Sequence, residues 1–141
     1  MSDYYNKDKE YREAIMAGEA ALNSLFAARN HLNTARRWGL LDIFGGGLLS
    51  GVVKHNYLNE AKACIEDARR KLLIFQNELD DIQNLPDLRI DISDFLTVAD
   101  FIFDGLIADI LVQQKIAEAK IQIEDTISIV EDALYTLRKT M

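Results

Sequence analysis

Three sets of side chains in this sequence are of types that could do chemistry. Cys64 is the only thiol, His31 and His55 are the only imidazoles, and Asp100, Asp104 and Asp109 stand among Phe95, Phe101, Ile102, Phe103, Leu106, Ile107 and Ile110. A nucleophilic cysteine needs a neighbouring base or cation to hold it as thiolate. Cys64 instead follows Ala63 and precedes Ile65 on a strongly periodic helix, so a half-buried, inert thiol is expected. Asp100 and Asp104 are four apart and share a helix face. If that face is buried, the carboxylates need partners, and Arg29, Arg36 or Arg37 are candidates. The alternative is a metal site completed by His31 or His55. No E-x-x-H pair occurs, so the di-iron bundle pattern is missing. The sequence therefore assigns no catalytic residue, no metal ligand and no cofactor, and an enzymatic role is not expected.

A fourth candidate is the segment from Trp38 to His55, which contains Gly45, Gly46 and Gly47 and ends on Lys54 and His55. Glycine amides at a helix N-terminus can cradle an anion. The Walker A pattern nevertheless fails, because no lysine and hydroxyl follow the glycines at the required spacing. A dinucleotide fingerprint fails as well, since no strand precedes the run. A hairpin corner at the end of a helical bundle is the plainer expectation, with three glycines where the backbone must turn sharply. The residues Trp38, Gly39, Asp42, Gly45, Gly46, Gly47, Lys54 and His55 resemble a W-G-x-x-D-x-x-G-G-G stretch followed by K-H in a group of uncharacterised bacterial helical proteins. That resemblance implies a cytosolic bacterial protein and brings no activity with it.

The elements that would position these groups are helical. Tyr11, Ile15, Gly18, Leu22, Leu25, Arg29, Leu32 and Arg36 alternate spacings of four and three, with Ala14, Ala21, Ala28 and Ala35 recurring beside them. This is the stripe of a helix packed along its length, with small residues for a close neighbour. Leu58, Ala61, Ile65, Ala68, Leu72, Phe75, Leu79 and Ile82 repeat the pattern in a second helix, which should begin near Leu48 to Ser50 and end before Pro86. Leu88, Ile90 and Ile92 alternate with polar residues, but a single six-residue strand has no partner, so an extended connector is expected. Ser93 or Asp91 can cap the next helix. Its apolar run from Phe95 to Ile110 should be broken from the last helix between Asp104 and Asp109. That last helix carries Ile116, Ile123, Ile127, Val130, Leu134, Leu137 and Met141, with Lys120 interrupting the seam. The expected fold is all-α: an antiparallel bundle of three long helices with a shorter fourth helical element, forming one domain over residues 1–141.

Composition narrows the partners. At 141 residues, 49% hydrophobic and 28% charged, the chain can bury a core without staples. The polar opening lacks a signal-peptide core and the lone cysteine precludes an intrachain disulfide, so a cytoplasmic location is expected. Trp38 to Val53 is shorter than the ~20 apolar residues of a membrane span, so no transmembrane segment is expected. The net charge of −7 argues against nucleic acid. It is unevenly spread, with 11 Lys/Arg against 9 Asp/Glu in residues 1–75 and 5 against 14 in residues 76–141.

An antiparallel first pair of helices would bring Arg36, Arg37, Trp38, Asp42, Phe44, Gly45, Gly46, Gly47, Lys54 and His55 into one locally basic corner. Glu78, Asp80, Asp81, Asp87, Asp91 and Asp94 would collect at the other end. A non-enzymatic interaction or adaptor protein is the leading functional expectation, binding a protein partner or itself. The alternatives are peripheral membrane contact through Leu40, Leu41, Ile43, Phe44, Leu48 and Leu49, and a small-ligand or metal-binding bundle.

The central seam positions yield a first test. Leu72→Ala or Phe75→Ala should each destabilise the protein by about 2–5 kcal/mol, as deletions in a packed core do. Chemical denaturation would measure it, and a change within about 0.5 kcal/mol would place these residues at the surface instead.

Overall fold

A computed structural model describes residues 2–45, 50–82, 90–97 and 112–140, with side chains described at 8–33, 60, 62–82, 90–97 and 117–140. The described residues are helical, apart from short non-helical stretches at 81–82 and 90–92, and contain no strand. The elements are α1 (Ser2–Gly45), α2 (Ser50–Asp80), α3, of which 93–97 is described, and α4 (Val112–Thr140). At 1.5 Å per residue, the 44 residues of α1 make a rod of about 65 Å.

Helix α1 packs against both α2 and α4. Its buried arc is Tyr11, Ala14, Gly18, Ala21, Leu25, Ala28 and Leu32, in alternating steps of three and four. This shifts the expected seam. Ala14, Ala21 and Ala28 lie at its centre with no exposed surface, whereas Ile15 and Leu22 are only partly buried at its edge. Arg29 does not enter the core, and its guanidinium lies 5.0 Å from the centre of the Phe26 ring. The reason is that a helix contacting two neighbours needs small side chains where both approach. Branched residues then serve better on the flanks, where the surfaces diverge.

Gly18 is the tightest point of that arrangement. A Cβ atom there would lie 2.7 Å from Leu134 Cδ2 on α4 and 2.9 Å from Phe75 Cε1 and Cζ on α2. Both neighbours are themselves buried, so neither has free space to retreat into. Three helices thus meet across a missing side chain.

In α2 the expected stripe holds from Ile65 through Ala68, Leu72, Phe75 and Leu79 to Ile82, all of them buried. The helix ends at Asp80 with a tightened last turn, in which the Ile82 amide donates to the Leu79 carbonyl at 3.1 Å. Across 90–92, Ile90 and Ile92 are buried and Asp91 is exposed, as the connector reading expects. Asp91 then accepts hydrogen bonds from the Ser93 amide (3.1 Å) and hydroxyl (2.6 Å) where α3 begins. These bonds favour the ionised carboxylate and hold its pKa below the ordinary 3.8. Phe95 follows into the core.

In α4 the seam runs Ala119, Ile123, Ile127, Val130, Leu134 and Leu137. Lys120 therefore does not interrupt it, because the residue before it takes the inward position. Thr126 is buried too, its hydroxyl satisfied by the Gln122 carbonyl at 2.6 Å. The expected break between Asp104 and Asp109 lies outside the described residues.

Glycine in a helix interior normally loses about 1 kcal/mol to alanine. At Gly18 the order should reverse, because inserting a methyl group into a packed site costs about 1–3 kcal/mol. Gly18→Ala should therefore lower stability in a denaturant titration, and an increase would mean that the helices can separate there without loss.

Candidate functional site

The polar groups that the structure draws together lie along the edge of the α1–α2 contact. Glu60, Cys64, Asp67 and Lys71 follow each other on α2 at spacings of four, three and four, which places them on one face. Opposite, on α1, stand Ser24 and His31, seven residues apart. The Ser24 hydroxyl donates to Asp67 Oδ2 at 2.6 Å, and Asp67 also receives Lys71 Nζ at 3.0 Å and Arg70 Nη2 at 3.1 Å. His31 Nδ1 lies 3.4 Å from Glu60 Oε2, an ion pair only when the imidazole is protonated.

Asp67 is the centre of this line. The bonds from Ser24 and Lys71, aided by the charges of Lys71 and Arg70, hold its carboxyl below the ordinary 3.8. Ser24 is 5% exposed, so its hydroxyl needs that acceptor. Cys64 sits between two carboxylates. Desolvation, then Asp67 and Glu60, push its thiol pKa up. Those forces oppose a thiolate, and the half-buried, inert cysteine expected from the sequence fits this setting. What the line can do chemically is join α1 to α2 in one register.

A second set of carboxylates gathers where α1 starts and α2 ends. Glu78 is raised from its ordinary 4.5 by burial first, then by Glu13, Asp81 and Glu10. Of the expected acidic end, Glu78 and Asp81 fall in this set, joined by Glu10 and Glu13, which the sequence reading did not include, while Asp87 lies outside the described residues. Close by in sequence, Tyr11 is 2% exposed and its hydroxyl has no hydrogen-bond partner. Burial pushes its phenol pKa up as well. An unsatisfied buried hydroxyl costs about 1–3 kcal/mol.

The sequence candidates fare unevenly. Arg36, Arg37, Trp38, Asp42, Phe44 and Gly45 belong to α1, and Lys54 and His55 to α2, with their side chains outside the described set. Gly46 and Gly47 lie outside the described residues altogether, as do Asp100, Asp104 and Asp109. The second helix begins at Ser50, within the Leu48 to Ser50 expected of it, and the segment from Trp38 to Gly45 belongs to α1. Helix continues to Gly45 and resumes at Ser50. Leu40, Leu41, Ile43 and Phe44 are all tolerated in a helix, and the single Gly39 costs only about 1 kcal/mol, too little to end it.

His31 pairs with Glu60 rather than with an aspartate of the candidate set. Among the described residues no group of three His, Cys, Asp or Glu side chains could hold a metal ion. No described helix is long and apolar enough to cross a membrane. The Ser24–Asp67 bond was missed in the sequence. Its only signal is that Ser24 falls on the buried arc between Ala21 and Ala28, while Asp67 adjoins the seam residue Ala68. The chain matches no protein-family model, no curated protein and no solved structure.

The two perturbed carboxylates act oppositely on stability. Glu78, with its folded pKa raised, disfavours folding when ionised, and this penalty is relieved as pH falls through that raised value. Asp67, with its folded pKa depressed, contributes stability above the unfolded value that is lost as pH falls through the folded one. Stability should therefore rise slightly as pH falls through the raised Glu78 pKa toward its ordinary 4.5, and fall once pH drops below the ordinary 3.8 of Asp67. Thermal unfolding across pH checks this. Glu78→Gln should remove the rise and Asp67→Asn should reduce the fall; profiles unchanged by both would deny these residues the role.

Proposed function

We propose that the chain is a non-enzymatic helical interaction or adaptor protein, folded as an antiparallel bundle of long helices and working in the cytoplasm. The pairs between α1 and α2 support the antiparallel course: residue 18 meets 75, 24 meets 67 and 31 meets 60, so one number falls as the other rises. The observation that carries the interaction reading is a set of large apolar side chains on outward faces. Met16 is 69% exposed, Tyr135 67%, Ile121 57% and Ile74 53%. Burial against a partner would remove that apolar surface from water.

The basic corner joins this proposal as a steering element. Arg36, Arg37, Lys54 and His55 belong to the adjoining ends of α1 and α2, away from the carboxylates at Glu10, Glu13, Glu78 and Asp81. Charge separated in this way orients an approaching partner before contact.

Affinity capture from a native lysate, with the purified chain as bait, tests the reading. A specific partner should be retained, and reversing both Arg36→Glu and Arg37→Glu should weaken its capture and flatten its salt dependence, with helicity checked separately. Capture unchanged by the reversal would move the surface away from the corner, and no specific partner at all would overturn the reading.

A further inference from the structure

We infer that the outer face of α4 is a docking seam for a basic amphipathic helix of another protein. The inference rests on the interaction reading above and names the surface and the chemistry of its partner. Ile121, Ser128 and Tyr135 recur every seven residues and are all exposed, so they form one column on the outward side of α4. The large groups at its two ends stand about 21 Å apart along the helix. They have no part in the core, because α4 buries Ala119, Ile123, Val130 and Leu137 on its opposite side.

Carboxylates flank the column in the same seven-residue repeat. Glu118, Asp125 and Asp132 run along one side of it and Glu124 and Glu131 along the other, all of them exposed. Each lies three or four positions from a column residue, the separation at which helical side chains are neighbours. Among the described residues none of these five has an ion-pair partner. From Glu118 to Tyr135 the sequence holds one cation, Lys120, which is half-buried beside Ala119 and off the column. Beyond Tyr135, Arg138 is drawn to Glu19 on α1, and Lys139 stands at the end of the seam.

Apolar positions repeating between charged flanks are the layout of one edge of a coiled coil, in which the flanking charges select the partner. Here both flanks are negative. The complement is a helix with apolar residues at the same repeat and Lys or Arg on either side of them, which would pair both rows of carboxylates while covering Ile121 and Tyr135. The net charge of −7 favours the approach of such a segment and repels anionic lipid and nucleic acid. A second copy is a poorer match. The outward arc of α2 sets Glu66, Asp80 and Asp81 beside Lys62, Arg69 and Arg70, so its signs balance and it offers no surplus of cations to α4.

The probe is a synthetic helical peptide of about three heptads, with leucine at every seventh position and lysine on both flanks of that column. Calorimetric titration into the full chain at about 0.1 M salt should show binding that weakens as salt rises. Asp125→Lys with Asp132→Lys should reduce the affinity about tenfold or more, and the peptide with glutamate in place of lysine should not bind. Asp80→Lys with Asp81→Lys makes the same change in net charge on α2 and should leave the affinity within about twofold. Circular dichroism checks that each variant is folded. Ile121→Ser with Tyr135→Ser, at exposed positions, gives a second route to the loss if the charge variant on α4 fails to fold. No binding of the lysine peptide, binding indifferent to the α4 changes, or an equal loss in the α2 variant overturns the inference. So does a wild-type mass that rises above 16.0 kDa with concentration and returns to it when α4 is changed, which would give the face to a second copy. A failed titration beside intact capture from lysate would reject the seam and spare the interaction reading, whereas a bound peptide beside lost capture would do the reverse.

Discussion

The close approach of α2 and α4 to α1 at Gly18 is the constraint on which the described packing depends. Phe75 and Leu134 fill the space a side chain would take, and Ala14, Ala21 and Ala28 extend the same low ridge along α1. Burying a Phe or Leu side chain contributes about 1.5–3 kcal/mol, and it does so fully only if the backbones come near enough to leave no void. Small residues on the central helix and large ones on its two neighbours meet that condition. The reverse distribution would hold the helices apart.

Polar groups adjust this packing rather than drive it. Asp67 gathers Ser24, Lys71 and Arg70 at the edge of the α1–α2 contact, where water still reaches the carboxylate. Hydrogen bonds placed there resist sliding of one helix along the other, which an apolar seam with a repeating pattern tolerates more easily. The carboxylates at Glu10, Glu13, Glu78 and Asp81 work against the same contact at its other end. The molecule thus holds a stabilised and a destabilised carboxylate, Asp67 and Glu78, on one helix and eleven residues apart. Their environments, not their residue types, set the difference. Asp67 finds donors, whereas Glu78 finds burial and like charges.

The outward faces follow from the same division of labour. Once α1 takes α2 and α4 on its buried arc, the exposed sides of those two helices are left to carry solvent or partners. Leu73 and Ile74, among charges of both signs, and Ile121 and Tyr135, among carboxylates, are not required by the core, since each helix already buries a full stripe on its other side. An apolar group ringed by charge is soluble alone and selective in association, because the charges disfavour unmatched surfaces.

The local periodicity of this chain determined its helical class and much of its core. Ile65, Ala68, Leu72, Phe75, Leu79 and Ile82 are buried as their spacing predicts, because a helix turns its residues toward a neighbour every three or four positions whatever that neighbour is. Ile90 and Ile92 were legible for a related reason, as was the start of α3 beside Asp91. Candidate chemistry was less legible: Asp67 reads as one solvated charge among many until Ser24, 43 positions away, is placed against it. Tertiary structure alone decided which edge of α1 lies deepest. A sequence stripe shows that Gly18, the alanines and the branched residues lie near one face, but not that two helices press on it together, and that second contact moved Ile15 and Leu22 to the flank and put the alanines at the centre.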